Sequence, residues 1–128
     1  MALIVLDASV MIAHLDPADF HHERATALLL QHADDDLPLP ASAYAETLVD
    51  PARSGRLDEA RHAIDSLRLR IEPVDKTIAD RAASLRARRR GLRLPDALVL
   101  ACGEVLEADS IVTADRRWRR FERVRVIG

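Results

Sequence analysis

Asp7, Glu46, Asp96 and Asp115 are spaced so that an alternating strand and helix reading of the chain brings four carboxylates to one rim. Like charges a few ångströms apart force protonation or capture a cation. Oxygen-only ligands suit Mg²⁺ or Mn²⁺, whereas zinc would want His or Cys. Two such ions roughly 4 Å apart can activate a water and stabilise the leaving oxygen of an in-line phosphodiester cleavage. Asp7 and Asp96 are expected as the principal metal ligands, with Asp115 and Glu46 completing the site directly or through water. Ser9 and Thr113 are hydroxyl candidates for orienting a carboxylate or a bound water, and ordinary backbone bonding is the competing role for both.

The elements that must position these groups follow from pattern. Leu3 to Leu6 is an unbroken apolar run, as in a strand covered on both faces, and Asp7 can cap a helix from Ala8 to His14. A second helix is expected near Asp19 to Ala33, then a turn at Asp34-Asp35-Asp36 and a brief strand from Leu37 to Leu39. Ser42 is a plausible N-cap for the next helix, and Gly55 its stop. Leu57, Ala60, Ile64 and Leu67 mark another helix, and Leu69 to Val74 a strand that Pro73 places at a sheet edge. Asp75 can cap a helix ended by Gly91, and Pro95 fits the first turn of an apolar helix reaching about Glu107. Ser110 to Thr113 reads as a strand, Arg116 to Arg120 as a short helical stretch, and Val124 to Ile127 as a last strand. Alternation of this kind predicts an α/β fold with a mostly parallel four- or five-stranded sheet and helices on both faces. Function in such folds collects beyond the carboxyl ends of the strands, where Asp7 and Asp115 lie and where the helices bearing Asp96 and Glu46 begin.

Each acid also has a plainer reading: Asp7 and Asp115 as helix caps, Asp96 as a complement to a helix dipole, Glu46 as a solvated helix residue. Four on one rim weaken those readings together. The five histidines form no competing metal site, because His21 and His22 are adjacent and the others lack ligand spacing. Trp118 and Phe121 lie among Arg116, Arg117, Arg119 and Arg120, where they either stack a base or pack against the sheet.

At 128 residues the chain has the length of one domain, and with four aromatic residues its core must be mostly Leu, Val, Ile and Ala. The net charge of −2 conceals an asymmetry: residues 1–64 carry 4 basic against 11 acidic side chains, and residues 65–128 carry 15 against 10. All the basic residues but Lys76 are arginine, which suits bidentate phosphate or carboxylate contacts, although charge alone does not imply a phosphate-bearing partner. The lone Cys102 sits in an apolar run and reads as core filler in a reducing compartment. The N-terminus does not read as a signal peptide, and no stretch approaches transmembrane length, so a cytoplasmic protein without membrane contact is expected.

The segments Ile4-Val5-Leu6-Asp7-Ala8-Ser9-Val10, Tyr44-Ala45-Glu46-Thr47-Leu48, Leu94-Pro95-Asp96-Ala97-Leu98-Val99-Leu100-Ala101 and Thr113-Ala114-Asp115 together resemble a PIN-domain ribonuclease, most closely the VapC toxins of VapBC toxin–antitoxin systems. The resemblance spans residues 1–128 as a single PIN domain, and the family's acidic ligands map onto Asp7, Glu46, Asp96 and Asp115. It implies a Mg²⁺-dependent endoribonuclease, with Mn²⁺ as an alternative ion, that cuts structured RNA such as tRNA or rRNA. It further implies homodimerisation and a cognate VapB-type antitoxin that joins it in a hetero-oligomer, an antitoxin tail crossing the acidic rim and often inserting an Arg. Ala114 stands where many relatives carry Asn, so one polar contact is absent.

Other classes fit less well. A receiver domain needs a lysine near a late strand, and Lys76 follows the middle one. A paired-aspartate phosphatase would want Asp where Ser9 stands, and the four glycines form no phosphate cradle. A catalytically silent PIN module that binds RNA or protein, and a PIN nuclease of RNA processing outside a toxin system, remain as alternatives.

Overall fold

The computed structural model describes all residues, 1–128. The order of elements is β1 (Ile4–Leu6), α1 (Ala8–Leu15), α2 (His22–Gln31), β2 (Pro38–Pro40), α3 (Ala41–Arg53), α4 (Leu57–Asp65), β3 (Arg70–Glu72), α5 (Lys76–Arg88), α6 (Leu94–Val105), β4 (Ser110–Thr113), a 3₁₀ helix (Arg116–Arg120) and β5 (Val124–Val126). Every strand pairing is parallel. The expected single sheet of four or five strands is divided: β1, β4 and β5 form one sheet in the order β1-β4-β5, and β2 and β3 form a second. A single parallel bridge between Leu3 and Asp36 joins them. It is held by the Ile4 N–H on the Asp36 carbonyl and the Asp36 N–H on the Ala2 carbonyl, both at 2.9 Å. The aspartate run is therefore a turn whose last residue already pairs with the chain just before β1, ahead of β2. A run of acidic side chains masks that pairing in the sequence.

Every residue of β1 is buried, and since successive side chains point to opposite faces, the strand is covered on both. The helices α1 and α6 both contact β1's neighbour β4, and α6 packs along α5. One cluster of 28 buried apolar residues forms the core. Gly103 marks a close approach inside it: a Cβ there would overlap Ile111 Cδ1 and Cγ1, so the α6 backbone lies against β4 with no room for a side chain.

Several boundaries moved for identifiable reasons. The second helix starts at His22 rather than Asp19, because the Asp19 carboxylate accepts from the His21 N–H at 2.8 Å and closes a turn first. Ser42 is not the cap of α3: the helix begins at Ala41 behind Pro40, and the Ser42 Oγ is buried without a hydrogen-bond partner. Asp75 does cap α5, accepting from the Ile78 N–H at 2.9 Å. Gly55 directly follows the Ser54 cap of α3 with φ of 73°, the left-handed conformation that ends helices, whereas α5 already stops at Arg88 before an extended Arg89, and Gly91 with φ of 85° belongs to the turn beyond it. Cys102 is fully buried, and burial pushes its thiol up to about 12, so it behaves as core filler.

Candidate metal centre at the carboxylate rim

Asp7 follows the last residue of β1 and is 6% exposed. It occupies the cap position of α1 but makes no side-chain capping bond to that helix's backbone, so the capping role does not hold. Its Oδ2 instead accepts from Ser9 Oγ at 2.6 Å and from Thr113 Oγ1 at 2.8 Å. Each hydroxyl also accepts a backbone N–H: Ala114 donates to Ser9 Oγ at 2.9 Å, and Asp115 to Thr113 Oγ1 at 3.0 Å. A hydroxyl has one proton, and these backbone bonds occupy the acceptor side, so both protons are directed at Asp7. Ser9 and Thr113 thus orient a carboxylate. Ala114 contributes its backbone N–H to this net and no side-chain polar group.

Glu46 lies in the second turn of α3, and Asp96 in the first turn of α6 behind Pro95. Both are half-buried. Burial raises the Glu46 carboxyl, with the Asp7 charge adding to the effect and Arg93 opposing it. Burial likewise lifts Asp96 to about 6, reinforced by Asp7, Glu46 and Asp115 and opposed by Arg93. Asp7 is raised by burial against the two hydroxyl bonds. Asp115 behaves differently. It caps the 3₁₀ helix through the Arg117 N–H at 2.9 Å, and the Arg117 guanidinium donates to both of its oxygens, with Nη2 at 2.7 Å from Oδ2. Arg117 holds this carboxyl below its ordinary range.

The fold therefore places Asp7, Glu46 and Asp115 within the field of Asp96, while no three of these carboxylates form a ready cage for a cation. Asp7, Glu46 and Asp96 nevertheless fit a hard divalent cation by donor chemistry: they are carboxylate oxygens whose proton affinity is raised by burial and, at Glu46 and Asp96, by neighbouring carboxylate charge. Sequence reasoning missed Arg93 and Arg117. Their signal was present as arginines three residues before Asp96 and two after Asp115. The histidines make local bonds elsewhere, such as His14 Nδ1 to Thr26 Oγ1 at 2.8 Å and His22 Nδ1 to the Ala13 carbonyl at 2.9 Å. Trp118 is buried in the core, which excludes it from base stacking, and Phe121 is half-buried beneath arginines.

The PIN domain family profile matches residues 4–124. The chain belongs to the PIN-domain family. Its fold is similar to that of a toxin–antitoxin complex from Klebsiella pneumoniae, with a TM-score of 0.81 and 19% identity over 98% of each chain. VapC20 of Mycobacterium tuberculosis, described as a sarcin–ricin loop cleaving toxin, superposes with a TM-score of 0.76 and 20% identity over 95% of this PIN chain and 98% of its own. VapBC2 from Rickettsia felis, bound to a DNA fragment from its promoter, does so at 0.75 and 15% identity over 97% and 96%. No curated protein matches the sequence. No helix of this PIN domain is long and apolar enough to cross a membrane.

The raised carboxyls give the metal-free domain a definite pH dependence. A carboxyl raised above its unfolded value stabilises the fold fully below pH about 4, and that contribution is lost as pH rises through the folded value, about 6 for Asp96. His14, lowered by burial and His22, acts in the opposite direction over part of this window. In EDTA, the melting temperature of Asp96→Asn minus that of the wild type should therefore grow between pH 4 and 7. Parallel thermal melts of the two proteins check this, and a constant difference would contradict it.

Proposed function

We propose that this PIN domain, spanning residues 1–128, is a metal-dependent endoribonuclease and the toxin of a toxin–antitoxin pair, cutting structured RNA such as tRNA or rRNA. The observation that carries the reading is the rim itself: Asp7, Glu46 and Asp96, raised in proton affinity, lie beyond the carboxyl ends of parallel strands. Those three, with Asp115, would hold Mg²⁺, or Mn²⁺ in its place. A bound divalent ion supplies Lewis acidity toward a phosphoryl oxygen and makes its bound water nucleophilic near neutral pH. Asp7 contributes an anionic oxygen fixed by Ser9 and Thr113. Asp96, lifted to about 6 while no cation offsets its neighbours, would be held as the carboxylate by a bound ion. Asp115 joins the set once its oxygens leave Arg117.

On one flank of the rim, Ile12, Leu15, Pro17, Glu46, Asp50 and Arg56 help to line a pocket of about 190 Å³. Apolar walls beside Glu46 and Asp50 suit a peptide that carries an arginine, which supports a VapB-type antitoxin as partner. Homodimerisation and a toxin–antitoxin hetero-oligomer belong to the same reading.

A catalytically silent PIN module is favoured by one observation, the Arg117 guanidinium on Asp115 with no ready three-carboxylate cage. Cleavage of total cellular RNA by purified, antitoxin-free protein separates the two. Discrete fragments that require Mg²⁺ or Mn²⁺ and vanish with EDTA are expected. RNA binding without cleavage would transfer the assignment to the silent module.

A further inference from the structure

Two depressions adjoin on the other flank of the rim. One is lined by Arg90, Asp96, Arg117, Arg120 and Phe121 among others. The second, of about 530 Å³, includes Arg81, Arg88, Arg89, Glu104, Arg120 and Phe121. They share Arg120 and Phe121, so a continuous surface leads from Asp96 to the C-terminal turn of α5. Together they present six arginines against three acids, Asp96, Glu104 and Glu122, whereas the pocket beside Glu46 presents Arg56 against Asp16, Glu46 and Asp50. The rim thus has a basic flank and an acidic flank.

Within the basic flank, Arg81 is neutralised by Glu104, and Arg117 by Asp115. Arg88, Arg89 and Arg120 are exposed and form no ion pair. Two of them are nevertheless ordered: the Arg89 Cζ lies 4.7 Å from the centroid of the Phe121 ring, and the Arg120 Cζ 5.1 Å from it. A guanidinium held on an aromatic face keeps its N–H groups free and loses less entropy when a phosphate arrives.

We propose that Arg88, Arg89 and Arg120, with Phe121 positioning the latter two, form a track for the RNA sugar–phosphate backbone leading away from the carboxylate rim. The proposal rests on the ribonuclease reading and adds the path of the substrate. The acidic flank repels phosphate, so the RNA backbone follows the arginines while the opposite flank stays open to a basic peptide. Contacts of this type fix register and carry no base information.

The test uses unfractionated transfer RNA in EDTA, with binding measured between 50 and 200 mM KCl, and total-RNA cleavage in Mg²⁺ run beside it. Each neutralised phosphate adds about 0.7 to 0.9 to the slope of log affinity against log salt, so Arg88→Gln/Arg89→Gln/Arg120→Gln should flatten it by about 2 to 3 and weaken binding about a hundredfold near 0.1 M. Phe121→Leu should lose several-fold in affinity with an unchanged slope, because the charges remain. Arg24→Gln/Arg61→Gln, on α2 and α4, should stay within about threefold, since remote exposed charges are screened. Far-UV circular dichroism melts confirm that each variant is folded. A triple variant that binds with wild-type affinity and slope, from a protein that does cleave RNA, overturns the track alone. Wild-type protein that neither binds nor cuts RNA overturns both readings. Arginine variants that leave RNA binding intact and weaken binding of a polyglutamate peptide make the groove an interface for an acidic protein segment and also overturn the track.

Discussion

Asp96→Asn is expected to remove metal-dependent RNA cleavage, by about a thousandfold or more, while leaving the metal-free protein more stable than the wild type. The two effects share one cause. Asp96 is half-buried and lifted to about 6 by burial and by Asp7, Glu46 and Asp115, with Arg93 only partly offsetting them. Asparagine keeps the size and the carbonyl oxygen and deletes the charge. A cation then loses an anionic ligand, and the empty rim loses a repulsion. After allowance for solvent screening of a partly exposed group, the gain is about 1 kcal/mol, or a rise of several degrees in melting temperature. Gel analysis of RNA fragments and calorimetry in EDTA check the pair of effects. Full activity in this variant would take Asp96 out of the chemistry, and a fall in melting temperature would show that its charge is compensated in the fold.

Trp118→Ala is expected to destabilise the domain by about 3–5 kcal/mol, the range for removing a buried aromatic ring. Trp118 is 3% exposed and belongs to the single core cluster. Its buried ring anchors the 3₁₀ helix that carries Arg117 and Arg120, whose backbone bonds, from the Trp118 N–H to the Asp115 carbonyl at 3.2 Å and from the Phe121 N–H to the Trp118 carbonyl at 3.0 Å, do not depend on the side chain. For a domain of this size the loss corresponds to a fall of about 10–20 °C in melting temperature. Small domains have about 5–15 kcal/mol in total, so the variant retains little margin. Trp118→Phe keeps most of the ring and should lose less than half as much. Circular dichroism melts of both variants measure the difference, and equal small losses would mean that the indole is not what anchors the 3₁₀ helix.

Much of the fold was legible because it depends on local rules. The last two strands and the 3₁₀ stretch, the Asp75 cap, and the glycine stop at Gly55 were readable from periodicity, capping chemistry and left-handed backbone preference, whereas α5 ends at Arg88, ahead of Gly91. Ser42 misled because Ser preceding an apolar helix is a common cap, yet Pro40 already supplied the extended entry one residue before Ala41. The division of the sheet was hidden because it depends on how few backbone bonds β1 and the Asp36 segment make, and the residue types there do not encode that number.

The same distinction runs through the site. The sequence by itself determined the four carboxylates and their order, and, through the parallel topology that such alternation imposes, the rim on which they meet. Only the tertiary structure decided which carboxylate is gripped by two hydroxyls, which is masked by an arginine, and which is left with uncompensated charge. The bond from Thr113 to Asp7 spans 106 positions, and the Arg89 guanidinium reaches Phe121 from the end of another helix. Local pattern fixes elements because a residue's own backbone preferences act over a few positions. Burial, field and partner choice arise when distant segments exclude water from one another, and the packed chain alone sets those.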